Sequence, residues 1–242
     1  MGRTIAVANQ KGGVGKSTTA INLSACLAEQ GKKVLTIDMD PQGNTTSGLG
    51  VDKNAVEDTL YELLVGQSDV ETTIVKDVVE NVDLIPSNVN LSGAEIELVG
   101  IDNKEYILKE ITDKVKDNYD YIIIDCPPSL NMLTINALAC ADAVLIPVQA
   151  AYLPVKGLED LIRTIGKVRR QLNRGLSIEG ILITMVDKRT TYARDITELI
   201  HDTYGSQIRI FTHNIPFSVR AAEISAEGVS IFRHDPRGKV AE

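Results

Sequence analysis

The sequence predicts an α/β fold, a doubly wound and mostly parallel sheet with helices on both faces. Short runs rich in Val and Ile alternate along the chain with segments of helical periodicity, which is typical of this class. The apolar runs are nearly continuous, as expected of strands buried on both faces. The sequence contains no repeat and no long linker, so we expect a single domain over residues 1–242.

The strands are predicted from these apolar runs. In chain order they are Thr4–Ala8, Lys33–Asp38, Val82–Pro86, Tyr121–Asp125, Ala143–Pro147, Ile178–Met185 and Ile208–Phe211.

The first helix is predicted from Ser17 to Gln30, because apolar residues recur at helical spacing and Gly31 ends the pattern. The same criterion places the other helices at Asp58–Val65, Leu91–Gly100, Lys104–Asn118, Asn131–Cys140, Lys156–Asn173, Tyr192–Tyr204 and Val219–Glu227. We expect any ligand to bind at the carboxyl ends of the strands.

A glycine-rich loop joins the first strand to the first helix. Such a loop directs backbone N–H groups and the positive end of the helix dipole at one point, as phosphate binding requires. The residues predicted to bind ATP there are Lys11, Gly12, Gly13, Val14, Gly15, Lys16, Ser17 and Thr18. Lys16 supplies the cation for the phosphates, and the Ser17 hydroxyl is a ligand for Mg²⁺.

Lys11 is a second lysine in this loop. The usual phosphate-loop pattern has a glycine at position 10, where this sequence has Gln10. One lysine suffices to hold a nucleotide, so Lys11 requires a separate explanation.

Acidic residues follow two of the predicted strands. Asp125 ends the run YIIID, and its carboxylate is predicted to hold Mg²⁺ through water. Asp38 and Asp40 close another strand, and residues two apart in an extended strand point the same way. Both carboxylates are therefore predicted to face the γ-phosphate, with different tasks because two anions there repel it.

These motifs together resemble the deviant Walker A P-loop ATPases, and most closely the ParA/Soj chromosome and plasmid partition proteins. The resemblance rests on KGGVGKST, on DMDPQGNTTSGLG from Asp38 and on YIIIDCPP from Tyr121. It implies a slow ATPase with Asp40 orienting the attacking water and Asp38 supporting the metal shell.

The resemblance also implies a dimer. Lys11 then reaches the partner's nucleotide across the interface, so that Lys11, Lys16 and Asp40 are the expected catalytic residues. The adenine is expected near Met185, Pro216 and Phe217, although these residues could equally pack a turn. Relatives continue into a further helix where this sequence ends, so the domain is expected to lack its final C-terminal helix.

Duplex DNA bound without sequence preference is the expected partner, together with a ParB-like centromere-binding protein. The net charge of −8 means that local basic groups must carry such binding. By the resemblance, Arg189 and Arg220 match DNA-contacting positions. Arg163, Lys167 and Arg170 form a helical stripe that could equally be a solvated face, with Arg169 and Arg174 beside it.

Two other functions remain open at this stage. One is a membrane-cycling ATPase of the MinD type, although no C-terminal basic amphipathic helix is visible and no membrane contact is expected. The other is a metabolic or metal-cluster-carrier ATPase, for which Cys126 is a weak candidate ligand. The sequence shows no signal peptide and no long apolar run, so we expect a cytoplasmic, nucleoid-associated protein.

Overall fold

The sheet occupies the centre of the molecule. A computed structural model describes residues 2–150, 154–187 and 189–241. Its strands are β1 (Arg3–Val7), β2 (Val34–Asp38), β3 (Val75–Val79), β4 (Val82–Ile85), β5 (Tyr121–Asp125), β6 (Ala143–Gln149) and β7 (Ser177–Thr184). They lie in the order β3-β4-β2-β5-β1-β6-β7.

Every strand pair in this sheet is parallel except β3 with β4. Alternate residues of the central strands pack on opposite faces, with Ile5 and Val7 in one apolar cluster and Ala6 in the other. The strands are thus buried on both sides, which explains their continuous apolar sequence. The predicted doubly wound α/β fold is confirmed.

Helices cover both faces. They are α1 (Lys16–Glu29), α2 (Asn44–Gly48), α3 (Leu60–Leu64), α4 (Val70–Thr73), α5 (Leu91–Glu97), α6 (Ile107–Asp113), α7 (Met132–Cys140), α8 (Pro154–Gln171), α9 (Thr191–Tyr204), α10 (Val219–Glu227) and α11 (Ile231–His234). Single 3-10 turns span Leu98–Gly100, Lys104–Tyr106 and Lys116–Asn118. Within the described ranges, no helix combines the length and the apolar character needed to cross a bilayer.

The prediction of one continuous helix over Lys104–Asn118 is wrong. The Asn136 side chain enters the place of the first regular helical hydrogen bond, between Leu108 N and Lys104 O. Asn136 Oδ1 accepts from Leu108 N at 3.1 Å, and Asn136 Nδ2 donates to Lys104 O at 2.8 Å. A side chain inserted into the helical ladder interrupts it, so a 3-10 turn at Lys104–Tyr106 precedes α6. A second 3-10 turn, Lys116–Asn118, follows α6.

Two edge elements also differ from the prediction. Ile208–Phe211 is not a strand, because its pairing is limited to a single bridge from Ile210 to Ile181. At the other edge, β3 was not predicted. It forms a tight antiparallel hairpin with β4, in which Asn81 takes a left-handed conformation (φ 61°) that asparagine tolerates.

The backbones of α2 and α10 approach each other closely at two glycines. Gly228 ends α10 with φ 67°, and a Cβ there would lie 3.0 Å from Gly50 Cα. This contact fixes α10 against the short helix that follows β2, and therefore against the carboxyl edge of the sheet.

We expect Gly228→Ala to destabilise the fold by about 2 kcal/mol or more, because it adds both left-handed strain and a backbone clash. Gly66→Ala is the matched control, since Gly66 has φ 74° and a Cβ there would meet no heavy atom of the described residues within 4 Å. Urea denaturation measures both free energies of unfolding. Equal losses in the two variants would show that the contact with Gly50 contributes nothing.

Candidate nucleotide-binding site

The glycine-rich loop forms an open cradle between β1 and α1. Gly13 and Gly15 have φ angles of 71° and 89°, a region that glycine adopts without strain. Among the described residues, no heavy atom beyond the chain neighbours lies within 4 Å of where a Cβ would stand at Gly12 or Gly13. The far side of the loop is anchored, because Thr184 Oγ1 donates to Val14 O at 2.9 Å.

The two lysines of the loop have opposite environments. Lys16 is 6% exposed, and its Nζ donates to the Lys11 carbonyl at 2.9 Å. Burial lowers the pKa of Lys16, and the negative charge of Asp125 partly offsets that effect. The Lys11 side chain is exposed and passes close to Gly157 near the start of α8. The loop therefore presents one cation inward and one outward.

Gly157 leaves room for this arrangement. A Cβ at Gly157 would lie 2.9 Å from Lys11 Cε and 3.0 Å from Gln10 Nε2. Gln10 Nε2 also donates to Gly157 O at 2.9 Å. Gln10, which replaces the usual glycine, thus ties the loop to α8.

Asp125 lies at the point where β1, β2 and β5 end together. Its register partners are Val7 on β1 and Asp38 on β2. Asp125 Oδ2 accepts from Thr45 Oγ1 at 2.7 Å, whereas Oδ1 is buried with no hydrogen-bond partner in the described part of the chain. Burial raises the pKa of Asp125, while the Thr45 hydrogen bond and the nearby Ser17 hydroxyl oppose the rise.

An orphaned carboxylate oxygen beside a serine hydroxyl fits a hard divalent cation. Mg²⁺ prefers such oxygen ligands and retains several waters. Asp125 and Ser17 are therefore suited to hold Mg²⁺ at this edge of the sheet.

The Asp38 carboxylate is held by donors at the start of α2, and its predicted place beside the γ-phosphate stays a prediction. The strand ends at Asp38, and the Asp38 carboxylate turns to the start of α2. Asp38 Oδ2 accepts from Thr46 N and from Thr46 Oγ1, both at 2.7 Å, and Oδ1 accepts from Asp40 N at 3.2 Å. Burial raises the pKa of Asp38, and the neighbouring charge of Asp125 raises it further.

Asp40 lies in the turn after the strand and is 7% exposed. Its Oδ1 accepts from Gln42 N at 2.9 Å, and its carbonyl accepts from Ser87 Oγ at 2.8 Å. Ser87 N in turn donates to Thr46 Oγ1 at 2.9 Å. The hydroxyls of Thr45, Thr46 and Ser87 were not among the predicted site residues, although the run NTT directly after DPQG was a visible signal.

The predicted adenine residues meet at one place. Val186 forms a parallel bridge with Pro216, and Phe217 N donates to Val186 O at 3.1 Å. The Met185 Cε lies 3.6 Å from where a Cβ would stand at Gly15, so this cluster adjoins the loop. Phe217 is 60% exposed and offers a ring for stacking. Base binding at this cluster stays a prediction.

The predicted DNA-contacting residues fall into two groups. Arg189 and Arg220 lie at the carboxyl edge, where Arg189 forms a bidentate pair with Asp187 and Arg220 Nη1 lies 3.3 Å from Glu223. Arg163 pairs with Glu159 and Asp160 on its own helix. Lys167, Arg169 and Arg170 lie in the last part of α8, and Arg174 lies three residues beyond its end. None of these four forms an ion pair within the described residues. Because α8 runs back from the carboxyl edge, these four lie toward the opposite edge.

Comparisons with known proteins agree with this geometry. A family model described as an AAA domain matches residues 2–178. The chain is 49% identical to the sporulation initiation inhibitor protein Soj of Bacillus subtilis, over 100% of this chain and 95% of that protein. It is 43% identical to the chromosome partitioning protein ParA of Myxococcus xanthus, over 100% of this chain and 85% of that one. The chain belongs to the Soj/ParA family of partition ATPases.

A solved structure shares the fold as well. The structure titled cobyrinic acid a,c-diamide synthase from Mycobacterium smegmatis, with bound ATP analogue and magnesium, has a TM-score of 0.86 and 37% identity. The match covers 99% of this chain and 98% of that one.

The raised pKa values of Asp38 and Asp125 make cation binding depend on pH. A carboxyl group with a raised pKa keeps its proton to higher pH, and binding Mg²⁺ requires that the proton leave. We therefore expect Mg²⁺ to add more to the stabilisation by ATP at about pH 7.5 than at about pH 5.5, by on the order of 1 kcal/mol.

Thermal unfolding with ATP, in the presence and absence of Mg²⁺, measures this difference. ATP itself titrates in this range, so Asp125→Asn serves as the control. The part of the pH effect that belongs to Asp125 should be absent from that variant. An identical pH dependence in both proteins would contradict the assignment of Asp125.

Proposed function

We propose that this chain is a DNA-partition ATPase that binds Mg²⁺-ATP at the loop, and that two chains join around their nucleotides. The contrast between buried Lys16 and exposed Lys11 carries the proposal. Lys16 is enclosed with Asp125 and can neutralise phosphate charge within its own chain. Lys11 lies on the outer rim, where a second chain can be reached.

The residues have separate tasks in this proposal. The backbone N–H groups of the loop and Lys16 hold the phosphates, and Ser17 with Asp125 holds the magnesium ion, which neutralises developing charge when bound. Asp38 fixes the start of α2 through Thr46 and supports the metal shell. Asp40 orients the attacking water. Hydrolysis stays slow until a ParB-like partner stimulates it.

DNA binding is assigned to Arg189 and Arg220. Both lie at the same sheet edge as the nucleotide site, so joining two chains there would bring four such arginines together. The group at the end of α8 lies toward the opposite edge and would not be gated by the nucleotide. By this proposal the protein associates with the nucleoid when ATP is bound.

One alternative has a specific observation in its favour. The cobyrinic acid a,c-diamide synthase structure matches almost the whole chain, so an ATP-dependent metabolic reaction is the second candidate. A small-molecule amidation would not require an outward lysine or nucleotide-gated DNA binding, and these features distinguish the two functions.

We expect Lys16→Ala to lose ATP binding, because it removes the only buried cation that the described loop offers to the phosphates. Lys11→Ala should keep ATP binding but remain monomeric, since its side chain lies outside the loop. Binding of a fluorescent ATP analogue and multi-angle light scattering measure the two properties. An ATP-dependent dimer of Lys11→Ala would contradict the proposed role of Lys11.

Binding to a random-sequence DNA duplex, with ATP, with ADP and without nucleotide, tests the function itself. We expect binding only with ATP, weakened about tenfold or more in Arg189→Ala/Arg220→Ala and falling steeply with salt. Arg169→Ala/Arg170→Ala is the matched control and should bind like the unmodified protein.

The other outcomes identify the alternatives. If Arg169→Ala/Arg170→Ala weakens DNA binding and Arg189→Ala/Arg220→Ala does not, the DNA site lies at the end of α8 instead. No DNA binding in any state would reject the proposal, and binding to anionic vesicles with ATP would then favour the membrane-cycling function.

A further inference from the structure

The segment around α5 has apolar side chains on two opposite faces. The inward face consists of Leu91, Ala94 and Leu98, all fully buried. On the outward side, Val89, Ile96 and Val99 are 72%, 79% and 69% exposed. Val89 lies in the turn before α5, Ile96 on α5 and Val99 in the 3-10 turn that follows it, and we name these three exposed residues of one short segment the exposed stripe.

An apolar outward face is not needed to fold this segment. One buried face anchors a surface helix, and the opposite face is normally polar. Single exposed apolar residues are ordinary, but three strongly exposed ones within one short segment indicate a contact surface.

The surroundings of the exposed stripe are acidic. Between residues 88 and 105 the chain has four carboxylates, those of Glu95, Glu97, Asp102 and Glu105, and one ammonium group. That ammonium, Lys104 Nζ, donates to Val99 O at 3.0 Å. Glu95 Oε1 is buried without a hydrogen-bond partner in the described part of the chain. With four carboxylates against one ammonium group, the segment combines exposed apolar side chains with net negative charge.

The exposed stripe is also close in sequence to the proposed catalytic edge. Ser87 precedes Val89 by two residues, and Ser87 Oγ donates to the Asp40 carbonyl at 2.8 Å. Ser87 N donates to Thr46 Oγ1, which itself donates to Asp38. A partner that shifts the backbone at Val89 would act on the turn that holds Asp40.

We propose that the exposed stripe is the docking surface for an amphipathic helix of a partner protein, with apolar side chains on one face and Lys or Arg beside them. This inference rests on the proposed function, because it assigns the stimulating partner a binding surface on this chain. A second copy docked through the same surface is disfavoured, since Glu95 and Glu97 of the two chains would face each other.

A labelled synthetic helix tests the docking surface without an identified partner. The probe is a peptide of about 15 residues with Leu at helical spacing and Lys elsewhere, and its control has Glu in place of Lys. Fluorescence anisotropy measures binding to the full chain. We expect the Lys peptide to bind, the Glu peptide not to bind, and Ile96→Ser/Val99→Ser to weaken binding about tenfold or more.

Two variants distinguish specific binding at the exposed stripe from nonspecific binding to exposed apolar residues. Leu199→Ser removes a 45% exposed apolar residue from α9 and should bind the Lys peptide normally. Glu95→Gln/Glu97→Gln should weaken binding and reduce its dependence on salt. Equal binding by unmodified protein and Ile96→Ser/Val99→Ser, or equal binding of both peptides, would overturn the inference. Self-association that depends on the exposed stripe would also overturn it, by identifying a second copy as the occupant.

ATP turnover and ATP-dependent DNA binding are measured on the same proteins. We expect the Lys peptide to raise turnover of the unmodified protein and to leave that of Ile96→Ser/Val99→Ser unchanged, with equal basal activity in both. Normal basal activity with no effect of the peptide would overturn the coupling to Asp40. Failure of the unmodified protein to bind DNA with ATP would instead overturn the proposed function.

Discussion

Burying two carboxylates and an ammonium group at one edge of a sheet is the constraint on which the rest of this structure depends. Asp38 and Asp125 are register partners on adjacent strands, and both are fully buried. Water does not solvate such charges, so protein donors must. Thr45, Thr46 and Lys16 provide the donors or the compensating charge, and a single oxygen of Asp125 is left for a cation.

This constraint explains why a five-residue helix follows β2. The helix α2 has little apolar surface of its own, yet it supplies both threonine hydroxyls and the Thr46 N–H group to the buried carboxylates. The close contact of Gly228 with Gly50 holds α10 against it. The start of α10 carries Arg220, so the proposed metal site and a proposed DNA contact are packed into one unit.

The residues proposed to contact partners lie in segments near the carboxyl edge of the sheet. The outward Lys11, Arg189 and the exposed stripe beside Ser87 belong to segments that leave the carboxyl ends of strands. Arg220 lies near the same edge, because Phe217 N, three residues before it, donates to Val186 O. Parallel strands place all these segments at one end of the molecule. A nucleotide bound there can therefore influence contacts with a second chain, with DNA and with a regulatory partner, without any long-range change in the sheet.

The sequence alone determined the six parallel strands, the glycine-rich loop and the acidic strand ends, because Val/Ile runs, glycines and charges act through local geometry. It did not determine the helix break after Lys104, because that break depends on the Asn136 side chain from another helix. Nor did it determine that Ile210 forms only one bridge, to Ile181, because strand pairing depends on a neighbouring segment distant in sequence. The sequence likewise placed Asp38 and Asp40 on one strand face. Only the tertiary structure turned Asp38 toward Thr46, because a buried carboxylate binds the nearest donors and those donors come from the following helix.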